Sequence, residues 1–166
     1  SFFSLQTFLC SLIWLYNYNK FGISKYTIKN NTKYENIYIT IYSLALIGLT
    51  NYLHYRDSKY TYLNFIVTWG TPIIFIQLSY NLSNIINNYK LIFNSLATSS
   101  VLLVIFDIFA IDNFTWFINK ETSYYPFTDY IATIPLEEIT FFIITSLMCI
   151  LGLTQYIVFI NKIVNK

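Results

Sequence analysis

Charge is the scarcest property of this chain. Lys, Arg, Asp and Glu make up 11% of its 166 residues, while 55% are hydrophobic and 20% aromatic. An ordinary soluble domain carries about 25% charged residues, so the shortage excludes a solvated surface over most of the molecule. A net charge of +2, with basic residues scattered over the loops, excludes the basic stripe of a nucleic-acid interface. One histidine and two cysteines exclude a His/Cys zinc set, and His54 alone after an apolar run gives no plausible Ser-His-Asp arrangement. With four glycines there is neither G-x-G-x-x-G nor a Walker A loop. No metal and no cofactor are implied. Cys10 and Cys149 lie inside apolar runs, where a free Cys behaves as a small hydrophobe; a disulfide or a reactive thiol is the alternative reading. Tyr, Asn and Ile are so heavily used that a single Tyr or Asn carries little, and the glycosylation-like triplets at Asn30, Asn81 and Asn113 are read as coincidence.

Long apolar runs are what the chain has in abundance. A hydrocarbon core of about 30 Å needs roughly 20 mostly apolar residues, and five segments qualify: Ser1 to Asn17, Ile37 to Leu53, Thr61 to Leu82, Leu91 to Ile111 and Leu136 to Ile160. The expected fold is all-α, a polytopic membrane helical bundle of about five transmembrane helices. The first run starts mid-stride, without the basic lead or small-residue exit of a signal peptide. The chain is therefore expected to be cut from something longer. Five crossings place Lys20, Lys25, Lys29, Lys33, Lys90, Lys162 and Lys166 on one side, against Arg56, Lys59 and Lys120 on the other. The positive-inside bias makes the first side, with the C-terminus, cytoplasmic. Pro72 falls inside the third run, where a kink is expected, either as plain helix packing or as a bend opening a cavity.

Laying the first run on the last at an offset of 139 residues superposes SFFSLQTFLCSL on TFFIITSLMCIL. Phe2 and Phe3 meet Phe141 and Phe142, Cys10 meets Cys149, and Leu12 meets Leu151. Four crossings separate the two starts, so the expected repeat is parallel and truncated at its N-terminus. The resulting division is 1–17 as the last helix of a truncated first repeat, 18–60 as a linking helix with flanking loops, and 61–166 as a complete three-helix repeat. A second acidic motif is expected just upstream of Ser1; chance similarity between apolar helices is the competing explanation.

That acidic motif is Glu137-Glu138 after Pro135. Acidic residues favour helix N-termini by about 0.3–1 kcal/mol, which explains the pair without any function. Its setting argues otherwise, because ionisable groups at membrane depth are expensive and mark functional sites. Adjacent carboxylates repel and can share a proton, which suits acid–base chemistry without a metal. Asp107, deep in VLLVIFDIFAI, is the second candidate, unless it only reaches the interface from a helix end. Its helix leaves the membrane on the side where the pair enters, so the three carboxylates can converge. Phe106, Phe109, Phe114, Trp116, Phe117, Phe141 and Phe142 crowd the same side, as an interfacial belt or as ring faces around a cation.

These residues resemble the integral-membrane lycopene cyclase domain family, found as two-subunit bacterial enzymes, tandem archaeal fusions, and fungal fusions to a phytoene synthase. The resemblance lies in Asp107 followed by Ala110, Thr115-Trp116, then Glu137-Glu138 before Phe141-Phe142, with Thr145 and Gly152-Leu153; upstream, Trp69, Pro72 and Gln77 fit the preceding helix. It covers nearly the whole chain, and its combined spacing is fairly specific. It implies lycopene β-cyclase activity in carotenoid biosynthesis, an isomerisation through a carbocation. Glu137 and Glu138 would be the acid–base pair with Asp107 assisting, and Trp116, Phe141, Phe142 and Trp69 would line the substrate. Implied partners are lycopene or a related linear carotenoid, the lipid bilayer, and a missing N-terminal repeat or paralogous subunit. The departure is the missing first acidic motif. Alternatives are a carotenoid hydratase on the same scaffold, a non-catalytic half that supports a partner, and a small proton-coupled transporter.

Overall fold

The computed structural model describes residues 2–23, 31–80, 82–115, 123–125 and 134–164. These residues are helical almost throughout. The helices are α1 (Phe2–Phe21), α2 (Lys33–Arg56), α3 (Thr61–Tyr80), α4 (Leu82–Asn87), α5 (Tyr89–Asp112) and α6 (Leu136–Val164), with a single 3-10 turn over Ser58–Tyr60. Among the described residues, four helical stretches are long and apolar enough to cross a membrane: Lys33–Arg56, Ser58–Tyr80, Tyr89–Asp112 and Leu136–Asn161. Helix α1 has the length, at 20 residues, but Gln6, Asn17, Asn19 and Lys20 dilute its apolar run.

Local chemistry sets the ends. Thr32 and Glu35 form a reciprocal capping box at the start of α2, the Thr32 hydroxyl accepting from Glu35 N–H at 3.2 Å and the Glu35 carboxylate accepting from Thr32 N–H at 2.6 Å. Such a box satisfies two N–H groups that the helix itself leaves orphaned. Helix α3 runs on through Pro72, whose missing N–H leaves the Thr68 carbonyl without its intrahelical donor. The stretch 83–90, expected as a loop, is instead largely helical, with α4 passing into α5 at Tyr89. Its asparagines are absorbed rather than solvated. The Asn88 side chain donates to the Asn84 carbonyl at 2.7 Å, and Asn31 accepts from Leu82 N–H at 2.8 Å while donating to the Leu78 carbonyl at 2.9 Å.

The core lies where α6 meets α1, α3 and α5. One cluster joins Trp14, Leu91, Ile92, Ile150 and Leu151; a second joins Leu63, Ile66, Val67 and Ile144; a third joins Cys10, Leu103 and Phe142. These pairings order the helices: α1 and α3 run parallel to α6, and α5 runs antiparallel to it. Helix α2 packs on α3 and leaves Tyr38, Tyr42, Leu44 and Tyr55 exposed, a surface that lipid suits and water does not. Gly70 is required by the α3–α6 approach, since a Cβ there would collide with the Ile144 side chain.

Candidate functional site: a buried carboxylate cluster

Polar groups inside this apolar bundle need partners, because a buried donor or acceptor left alone costs about 1–3 kcal/mol. Several of them find one across a helix interface. Gln6 donates to Thr145 Oγ1, Trp14 Nε1 donates to Thr154 Oγ1 at 2.9 Å, and Gln77 Nε2 donates to the Met148 carbonyl at 2.9 Å. The carboxylates at one end of α6 are assembled differently.

Helix α6 begins where Ile134 and Pro135 are buried and the chain segment 123–125 closes over its first turn. The Leu136 N–H donates to the Tyr124 carbonyl at 2.9 Å, satisfying one of the four N–H groups a helix start leaves open. In return, Tyr124 N–H donates to Glu137 Oε1 at 2.8 Å. Tyr124 is itself held by stacking on Tyr60, with ring centroids 5.4 Å apart. Glu137 is fully enclosed, at 0% exposure, and its second oxygen, Oε2, has no hydrogen-bond partner among the described residues. Glu138 lies beside the Tyr62 phenol at the start of α3, near enough for the two groups to act on each other.

Asp107, one turn from the end of α5 and 1% exposed, lies near enough to Glu138 and Tyr62 for its charge to act on both. Asp107, Glu137 and Glu138 thus come from two antiparallel helices to one end of the bundle. They approach closely enough for like-charge repulsion, yet among the described residues no group of three metal-ligating side chains is set to hold an ion. Outside the helices, Tyr125 reports the same field. Burial first, then the neighbouring Glu137 and Glu138, push its phenol up from the ordinary range.

One turn further along α6, Phe141 and Phe142 meet edge to face with centroids 5.7 Å apart, and Phe142 is 1% exposed. Trp69 lies on the exposed side of α3, at 52% exposure, and Phe106 and Phe109 face outward on either side of buried Asp107. Trp116 and Phe117 lie outside the described residues. A small cavity of ≈ 10 Å³ among Tyr80, Asn84, Thr154 and Gln155 is at the opposite end of α6 and plays no part in this cluster.

Tyr62 and Tyr124 do not stand out in the sequence, hidden among 16 tyrosines. The only signal pointing to Tyr62 is its place one residue into the third apolar run, level with the start of the last. Set against known proteins, the chain matches no family model, no curated protein and no solved structure.

Proposed function

We propose that the chain is a lycopene β-cyclase-like membrane protein that closes the linear ends of a carotenoid into β-ionone rings. The observation that carries this reading is the meeting of Asp107 with Glu137 and Glu138 beside Phe141 and the buried Phe142. In the proposed reaction a carboxylic acid protonates the terminal double bond. A neighbouring double bond attacks the resulting tertiary cation, forming a carbon–carbon bond, and a carboxylate removes a ring proton. One proton enters and one leaves, so the product is an isomer and no redox partner is consumed. Glu137 and Glu138 act as the acid–base pair and Asp107 assists. Phe141 and Phe142, with Trp116 and Trp69, offer ring faces to the cation, and the apolar bundle keeps out water that would trap it.

In the same reading α1 is a fifth span and the counterpart of α6 in a parallel repeat, and the C-terminus is cytoplasmic. Support for the repeat comes from two contacts between residues 139 positions apart, Gln6 with Thr145 and Cys10 with Cys149. Self-equivalent positions touch when two copies pack about an axis lying between them. Hence a repeat or a paralogous subunit carrying its own acidic motif is the natural partner.

The test is expression of the gene encoding this chain in cells that accumulate lycopene, with and without a paralogous subunit, followed by pigment chromatography. Cyclic end groups are expected. Hydroxylated acyclic ends, or lycopene left unchanged in both settings, would contradict the reading.

A further inference from the structure

Cys10 on α1 and Cys149 on α6 are both free and pack into one cluster across the interface of two parallel helices, near enough for each thiol to act on the other. Cys10 is 1% exposed, whereas Cys149 is only half-buried. Their surroundings are not those of two inert apolar side chains. The Cys10 thiol donates to Ser146 Oγ at 3.4 Å, Ser99 of α5 also reaches Cys10, and Ser11 reaches Cys149. A cysteine acting only as a small hydrophobe needs none of these partners. Partial exposure is one mark of a reactive thiol, and Cys149 has it. A disulfide demands that two Cβ–Sγ bonds point at one another, and the contacts Gln6–Thr145 and Trp14–Thr154, one turn to either side, set the Cys10 and Cys149 faces of α1 and α6 against each other.

We propose that Cys10 and Cys149 form a redox-active dithiol, which closes into an α1–α6 disulfide when oxidised by a lipid-soluble quinone. Both S–H bonds break and one S–S bond forms. The two electrons and two protons pass to the quinone, which leaves as the quinol. Half-buried Cys149 provides access from the lipid side. Leu103 and Phe142 pack in the same cluster, and the closed bond fixes α1 against α6 about three helical turns along α6 from Glu138. None of this depends on the cyclase reading, because the chemistry is read on the sulfurs themselves.

The experiment uses the full protein in liposomes, treated with decylubiquinone or left reduced, then unfolded in denaturing detergent so that buried Cys10 is open to the reagent, and alkylated with a maleimide, with intact-mass and peptide analysis. The reduced protein is expected to take up label at both Cys10 and Cys149. After oxidation both should be protected, the chain should remain monomeric, and a linked Cys10–Cys149 peptide pair should appear that a dithiol reductant removes. Cys10→Ser and Cys149→Ser, under the same oxidant, should each keep the remaining thiol open to label. Undiminished labelling of both cysteines after oxidation would overturn the proposal, as would cross-links found only between chains. The linked peptide is sought in the unmutated protein, so the outcome is decisive even where a variant fails to fold.

Discussion

Tyr124 and Glu137 hold each other at the mouth of α6: the Tyr124 N–H donates to Glu137 Oε1 at 2.8 Å, although 13 residues separate them. The contact closes the chain segment 123–125 onto the helix start and leaves Oε2 as the enclosed oxygen. Glu137→Ala removes the acceptor and strands a backbone N–H, so it should destabilise the folded protein by about 1–3 kcal/mol. Glu137→Gln keeps a carbonyl oxygen in place and should cost much less. Detergent-based unfolding of the two variants checks the difference, and equal losses would show that Tyr124 does not depend on this oxygen.

A second prediction concerns the α3–α6 contact. Gly70→Ala drives a methyl group into Ile144 and should cost about 1–3 kcal/mol, the usual penalty of overpacking. Combining it with Ile144→Ala should recover part of that loss. Gly48, in the middle of α2, has nothing within 4 Å of where its Cβ would stand. Gly48→Ala should therefore be neutral or stabilising, by up to about 1 kcal/mol. Unfolding midpoints of these variants test the contrast.

The Trp14–Thr154 hydrogen bond links α1 to α6 inside the core. Interhelical bonds of this kind in membrane bundles average about 0.6 kcal/mol and reach about 1.7. Trp14→Phe also removes ring volume from the core and should cost more than Thr154→Val, but the coupling energy of the double-mutant cycle should fall in that range. Strict additivity in the double-mutant cycle would remove this bond from the description of the bundle.

Tyr125 offers a reporter outside the helices. Its phenol is pushed up, by burial first and then by Glu137 and Glu138, so the folded protein favours the neutral form. The associated stability is fully present below the ordinary phenol value of about 10 and is lost as pH rises through the folded value. Glu138→Gln removes one of the two charges, and Tyr125 should then ionise at a lower pH, though burial keeps it above the ordinary value. The difference in phenolate absorbance between each background and its Tyr125→Phe partner isolates this one titration among the tyrosines.

Much of the helical arrangement is legible in the sequence because length and apolarity are additive along a chain. The segment Leu136 to Ile160, expected as a span, is found within α6, Leu136–Val164; Leu91 to Ile111 lies within α5, Tyr89–Asp112. Helix α4 is not legible, because Asn84, Asn87 and Asn88 read as solvent-seeking, whereas Asn84 and Asn88 are buried and the Asn88 side chain bonds back to the Asn84 carbonyl of α4. The acidic pair is visible because charge is rare here. Its supports are not, since Tyr62 and Tyr124 belong to a residue type used too freely to stand out. Cys10 and Cys149 each look inert beside their apolar neighbours in the chain. A run of sequence does not reveal that the hydroxyls of Ser99 and Ser146 come from other turns and other helices.

The carboxylate cluster is tested most directly by pigment analysis of Glu137→Gln and Glu138→Gln in lycopene-accumulating cells in which the unmutated gene forms rings. Both substitutions preserve size and one acceptor oxygen, exchange the other for an amide NH2, and remove the ability to exchange a proton. Each is expected to cut cyclic product by about 100-fold or more, the scale of lost acid–base catalysis, at unchanged protein level. Full ring formation in both variants would contradict the assignment of chemistry to this end of α6.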